Sequence, residues 1–152
     1  MKKQDALFRI LLADDDMDDR FFFDKALESL PIPTQLETVE DGEKLMSYLL
    51  ENAKKLPDVL FLDLNMPRKN GSECLAEIKS NEKLKGLPVV IYSTSLHDEV
   101  ADLLYKGGAH YYIRKTDLEE LKKILFHVLT LMTVKKFLRP SRDGFIVSLV
   151  DV

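Results

Sequence analysis

The sequence predicts an α/β protein: a doubly wound parallel sheet of five strands with helices on both faces, followed by a C-terminal extension. Three observations predict it. Five short apolar or β-branched runs alternate with stretches of helical spacing. Several of those runs, such as Ile10-Leu11-Leu12 and Val59-Leu60-Phe61-Leu62, are apolar at every position, as strands buried on both faces are. The 152 residues, 45% of them hydrophobic, suffice for one domain with a core and leave little room for a second.

The strand-like runs are residues 7–13, 36–39, 59–64, 89–93 and 111–114. Helical spacing covers 21–30, 43–52, 72–80, 98–105 and 117 to about 132. Helix punctuation agrees. Thr116 with Glu119 reads as a capping box before the last helix, and Ser95 with Asp98 as a similar pair before the fourth. Gly107-Gly108 ends the fourth helix through a left-handed cap. In the last helix Leu118, Leu121, Ile124, Leu125, Val128 and Met132 share one face. Leu129 and Phe126 widen that stripe, which predicts a deeper core in preference to a partner surface. Residues 140–144 form a turn, and Phe145-Ile-Val-Ser-Leu-Val150 is strand-like. Three fates stay open for it: folding back on this chain, pairing with a second copy, or hanging loose. The division expected is 1–138 for the main domain and 139–152 for the extension, as a strand or a dimer arm.

Composition excludes several functions. Lys plus Arg is 22 and Asp plus Glu is 26, so the formal net charge is −4 and there is no bulk attraction to nucleic acid or anionic lipid. One cysteine, Cys74, excludes an internal disulfide framework and a multi-Cys metal site; it reads as a small core residue in a reducing cytoplasm. The opening MKKQDALFRILLADDD does not read as a secretory signal, and no apolar run nears the roughly 20 residues a bilayer crossing needs. His97, His110 and His127 are too scattered for a metal triad and read as structural.

Ligands of open α/β sheets gather beyond the carboxyl ends of the strands. Here the first strand ends in Asp14-Asp15-Asp16, the third in Asp63-Leu64-Asn65, the fourth in Ser93-Thr94-Ser95 and the fifth in Arg114-Lys115. Asp14, Asp15 and Asp63 crowded together repel, unless some stay protonated or a hard divalent cation neutralises them. Oxygen donors in such small number suit Mg²⁺, which keeps several waters. A carboxylate there can attack a phosphoryl group, with Lys115 and the Ser93 hydroxyl receiving the phosphoryl oxygens. Asp18 and Asp19 read as an ordinary acidic helix start.

Those motifs, in order, resemble the receiver domain of two-component response regulators, over residues 7 to about 132. They are Ile10-Leu-Leu-Ala-Asp-Asp15, Asp58-Val-Leu-Phe-Leu-Asp63-Leu-Asn-Met-Pro67, Gly71, Leu87-Pro-Val-Val-Ile-Tyr-Ser93 and Tyr112-Ile-Arg-Lys115. The resemblance implies a flavodoxin-like (chemotaxis-regulator-like) fold with strand order 2-1-3-4-5. It implies a switch, not an enzyme that turns over a metabolite. Asp63 would accept a phosphoryl group from a histidine kinase or phosphotransfer protein, and Asp15, Asp14, Asp63 and the Asn65 carbonyl would hold Mg²⁺. Lys115 would pair with the phosphoryl group, and Ser93 and Tyr112 would form the switch pair. Asn65 and Ser95 flank the site and tune the phosphoryl lifetime. The implied output surface is the fourth helix, fifth strand and fifth helix, which meets a downstream protein and, with the extension, a second copy. Among such regulators the chain looks most like the small ones of phytochrome-type kinases.

It departs from the family in three ways. Thr116 stands where proline usually follows the lysine, which predicts a different or strained loop. Asp16 adds a third acid that could move the metal register by one. The extension is far too short for a DNA-binding domain. Two other functions compete with this one. A haloacid-dehalogenase-like phosphatase would use Asp14 and Asp16, but after Lys115 only Asp117, Glu119 and Glu120 remain, all in a helix start. An inert receiver kept for docking is the other, although nothing needed for phosphorylation is missing.

Overall fold

A computed structural model describes residues 7–134 and 138–148. The N-terminal residues 1–6 and the end of the strand-like run, Leu149 and Val150, lie outside the described residues. The chain runs β1 (Phe8–Ala13), α1 (Met17–Glu28), β2 (Thr34–Val39), α2 (Gly42–Glu51), β3 (Val59–Leu62), α3 (Gly71–Ser80), β4 (Val89–Ser93), α4 (Asp98–Lys106), β5 (Tyr111–Arg114), α5 (Leu118–Val134) and β6 (Ile146–Val147). The strands form one sheet in the order β2-β1-β3-β4-β5-β6, and every neighbouring pair is parallel.

The first five strands follow the expected 2-1-3-4-5 order. The extension adds a sixth at the β5 edge, so of its three fates the described part takes the first and folds back on its own chain. The central strands β3 and β4 are buried at every residue, whereas the edge strand β2 alternates. Successive side chains leave a strand on opposite faces, which divides the core in two. Leu11, Leu60, Leu62, Ile91 and Tyr112 pack on one face with Leu45, Ile78 and Leu104 of α2, α3 and α4. Ile10, Leu12, Phe61, Val90 and Ile113 pack on the other with Phe23 of α1 and Leu125 of α5.

Helix ends differ from expectation in three places. α1 starts at Met17, four residues before its apolar spacing does, because the Asp16 side chain caps it by accepting from the Asp19 amide. α4 is preceded by His97, which makes no side-chain cap, so Ser95 does not cap it. At α5 the cap is Asp117, whose carboxylate accepts from the Glu120 amide; Thr116 instead donates its hydroxyl to the Glu120 side chain. The expected glycine cap of α4 is present, with Gly108 at φ +104°. Leu129 is buried as the widened stripe predicts, but Phe126 is 43% exposed. Cys74 is a fully buried core residue, its thiol pushed up to about 11 by burial. Among the described residues no helix is long and apolar enough to cross a membrane.

Candidate functional site

Strand register brings the site residues together. Ala13 lies opposite Leu62 in the β1–β3 ladder, so Asp14 and Asp63 leave adjacent strands side by side, and the Asp63 amide donates to the Ala13 carbonyl (3.0 Å). Ser93 closes β4 opposite Arg114, and the Lys115 amide donates to the Ser93 carbonyl (2.7 Å). The loop after β3 lies tight beneath this rim. A methyl group on Gly71 would sit 2.3 Å from the Asp63 carbonyl oxygen, so only glycine lets α3 start that close. Arg68 in the same loop adopts φ +69°, a left-handed conformation that costs a non-glycine residue about 1–2 kcal/mol. Its guanidinium meets the buried Asp41 carboxylate at 3.5 Å.

Lys115 sits at the centre of the cluster. Its ammonium lies 2.8 Å from an Asp14 oxygen, 2.8 Å from an Asp19 oxygen and 3.4 Å from an Asp63 oxygen, and 5.2 Å from the Tyr92 ring centroid. Asp14 and Asp63 are buried. Burial pushes the Asp63 carboxyl up to about 6; the Lys115 charge opposes the rise and the Asp14 charge adds to it. Asp14 is raised as well, by burial above all, against hydrogen bonds from Lys115 and the Asp16 amide. Burial disfavours the Lys115 charge, but hydrogen bonds to Asp14 and Asp19 more than compensate and hold it firmly protonated.

Carboxylate oxygens of Asp14, Asp15 and Asp63 lie within 4.8 Å of one another; among the described residues no other such group is found. Asp15 is exposed, so the donors open to solvent on one side. Three oxygen donors with an open side fit a hard divalent cation that keeps its waters. Asp16 is not in that group; one of its carboxylate oxygens accepts from the Asp19 amide at 3.0 Å and caps α1. Asn65, exposed, donates its backbone N–H to the Asp63 carboxylate at 3.2 Å. Ser93 is buried and its hydroxyl has no hydrogen-bond partner. The neighbouring Tyr112, fully buried, donates its hydroxyl to the Ser95 carbonyl at 2.5 Å instead. Ser95 is exposed at the head of the β4–α4 loop. The Lys115–Thr116 peptide bond is trans, and no residue of that loop has a positive φ.

Asp19 is the site residue that sequence reasoning missed. Its sequence context is that of a solvated helix start, yet it shares Lys115 with Asp14. No local pattern marks it, because its partner lies 96 residues away.

A parallel sheet with helices on both faces, three aspartates and a lysine at its strand ends, and an unpartnered buried serine hydroxyl beside them define a phosphoryl-receiving signalling domain. The chain belongs to the response regulator receiver domain family, whose model matches residues 10–126. Phosphorylation-dependent switching is the general function of this family, and receiver proteins like Rcp1 are signalling regulators rather than enzymes. The chain is 34% identical over 122 residues to response regulator Rcp1 of Synechocystis, covering 76% of this chain and 82% of that one. It is 32% identical over 120 residues to the probable methanogenesis regulatory protein FilR2 of Methanothrix harundinacea, covering 76% and 77%. Among solved structures, the phosphorylated cyanobacterial phytochrome response regulator RcpA superposes with a TM-score of 0.76 at 35% identity, over 90% of this chain and all of that one. The Mn²⁺-bound form of Rcp1 superposes with a TM-score of 0.73 at 30% identity, over 88% and 99%.

Proposed function

We propose that Asp63 is the phosphoacceptor of this receiver. The observation that carries it is the Lys115 ammonium held among Asp14, Asp19 and the buried Asp63. An Asp63 oxygen forms a bond to phosphorus as the donor's phosphorus–nitrogen bond breaks, and the leaving imidazole of a phosphohistidine takes up a proton. Lys115 turns its charge to the new phosphoryl oxygens, and the Ser93 hydroxyl donates to one of them, which ends its isolation. Asp14, Asp15, Asp63 and the Asn65 carbonyl would hold Mg²⁺, which supplies charge neutralisation for the crowded carboxylates and the phosphoryl group. Ser93 and Tyr112 are the switch pair. Asn65 and Ser95 flank the path of water to the acyl phosphate and so set its lifetime.

The phosphoryl donor in this reading is a sensor histidine kinase or a phosphotransfer protein. The similarity to the cyanobacterial phytochrome response regulator RcpA supports a phytochrome-type kinase. The α4–β5–α5 face meets a downstream protein and, together with the extension (139–152 beside the receiver at 1–138), a second copy. The setting is the cytoplasm, and neither nucleic acid nor membrane is bound directly.

Intact mass after incubation with Mg²⁺ and acetyl phosphate tests this reading. Wild type gains one phosphoryl group and Asp63→Asn gains none, while Lys115→Ala gains some but loses the conformational response. Equal uptake by Asp63→Asn would overturn the assignment.

A further inference from the structure

Residues 138–148 lie against the α4–β5 face, away from the acidic rim. Arg139 donates from Nε to the Ala109 carbonyl at 3.0 Å and from a terminal nitrogen to the Tyr105 carbonyl, with its guanidinium carbon 4.1 Å from the Tyr105 ring centroid. The Tyr105 hydroxyl donates to the Pro140 carbonyl at 2.7 Å, and Arg142 pairs with Asp102 at 2.7 Å. These contacts fasten the segment to α4. Beyond them Phe145 is fully buried, its ring edge-on to Tyr105 (5.2 Å) and to Tyr112 (6.1 Å). The Tyr112 amide donates to the Phe145 carbonyl at 2.9 Å, where the β5–β6 ladder begins.

Tyr112 therefore connects two parts of the molecule. Its hydroxyl donates to the Ser95 carbonyl and lies beside the buried Ser93 hydroxyl, which itself makes no hydrogen bond of ordinary geometry. Its ring is fully buried and packs edge-on against Phe145, which covers it on the β6 side. An unpaired buried hydroxyl is costly, and a phosphoryl oxygen on Asp63 would satisfy it.

We propose that residues 138–148 are an intramolecular clasp that holds Tyr112 inward and so keeps the Ser93 hydroxyl free for a phosphoryl group on Asp63. The seated clasp and the phosphorylated site then favour each other, and the coupling is reciprocal. This rests on the receiver reading of Asp63 and adds a regulatory element that begins 23 residues beyond Lys115. Phe145 is a positioning residue in it, acting through Tyr112.

The test uses the full chain with Mg²⁺ and beryllium fluoride as phosphoryl mimic, in wild type, Phe145→Ala and Arg142→Ala. Arg142→Ala removes a partly exposed ion pair and a guanidinium 5.8 Å from the Phe145 ring centroid but no core side chain, so it folds even if Phe145→Ala does not. Beryllium fluoride should slow hydrogen exchange at the Tyr112 amide of wild type by about fivefold or more. Phe145→Ala should weaken beryllium fluoride binding by at least about fivefold, and Arg142→Ala should weaken it in the same direction by less. Equal affinity in the folded variants and wild type would reduce the segment to a passive edge cover and overturn the clasp. Faster exchange at Tyr112 on adding the mimic would overturn it too, since the segment would then be a latch that opens. Acetyl phosphate separates the two levels. Wild type that takes no phosphoryl group defeats the receiver reading and the clasp with it; uptake without any change in exchange defeats the clasp alone.

Discussion

Replacing Asp63 by Asn removes a carboxylate that burial holds at about 6, against its ordinary 3.8. Roughly two pKa units at about 1.4 kcal/mol each put the burden of its charge near 3 kcal/mol at neutral pH. Lys115 keeps its two 2.8 Å partners, Asp14 and Asp19, so no buried cation is stranded. The Asn amide gives up some of the attraction to Lys115, so the expected gain in the metal-free protein is about 2 kcal/mol. For a chain of this length that is roughly 4–8 °C in Tm. The sign follows from proton uptake. Between pH 3.8 and about 6 the folded wild type holds a proton on Asp63 that the unfolded chain releases, so its stability falls as pH rises through that window. The variant lacks this slope. Urea melts in chelator should therefore show a gap that is small near pH 4 and full near pH 7. Mg²⁺ should reverse the ranking, because saturation at 100 times Kd adds about 2.7 kcal/mol to a chain that binds it. A variant no more stable than wild type at pH 7 without metal, or a gap independent of pH, would refute the reasoning.

Two further predictions are simpler. Asp19→Ala leaves Lys115 paired with Asp14, so it should cost no more than about 1 kcal/mol and retain phosphoryl uptake by intact mass; loss of uptake would make Asp19 part of the cation site. Along α5, Leu129→Ala should cost about 2–5 kcal/mol in urea melts. Phe126→Ala, on the exposed side of the same stripe, should stay within about 0.5 kcal/mol, and equal costs would contradict the burial pattern.

The strands and the rim were readable because their signals are local. An apolar run that ends in Asp63, or one that ends in Lys115, states both a buried strand and what stands at its end. Features made by distant pairing were not readable. Asp19 looks like any acid in a first helical turn until the fold puts Lys115 against it. Phe145 belongs to a strand-like run that sequence alone leaves free to pair with another chain, and its packing on Tyr112 is a tertiary contact. The start of α1 was read late because its first turn is polar, and the exposed Phe21 and Phe22 imitate the beginning of a buried stripe. Ser95 and Thr116 are plausible caps by residue type, but the chain turns two residues later in one case and one in the other.

The sheet separates two packed layers, one with α2, α3 and α4 and the other with α1 and α5. Neighbouring residues of one strand, such as Leu11 and Leu12, thus belong to different layers. Changes of core side chain in opposite layers, more than about 7–10 Å apart and sharing no partner, should combine additively to within about 0.5 kcal/mol. Tyr112 and Phe145 sit in the first layer and Phe23, Tyr92 and Leu125 in the second, so the packing around the clasp can be redesigned while the α1–α5 layer is left as it is.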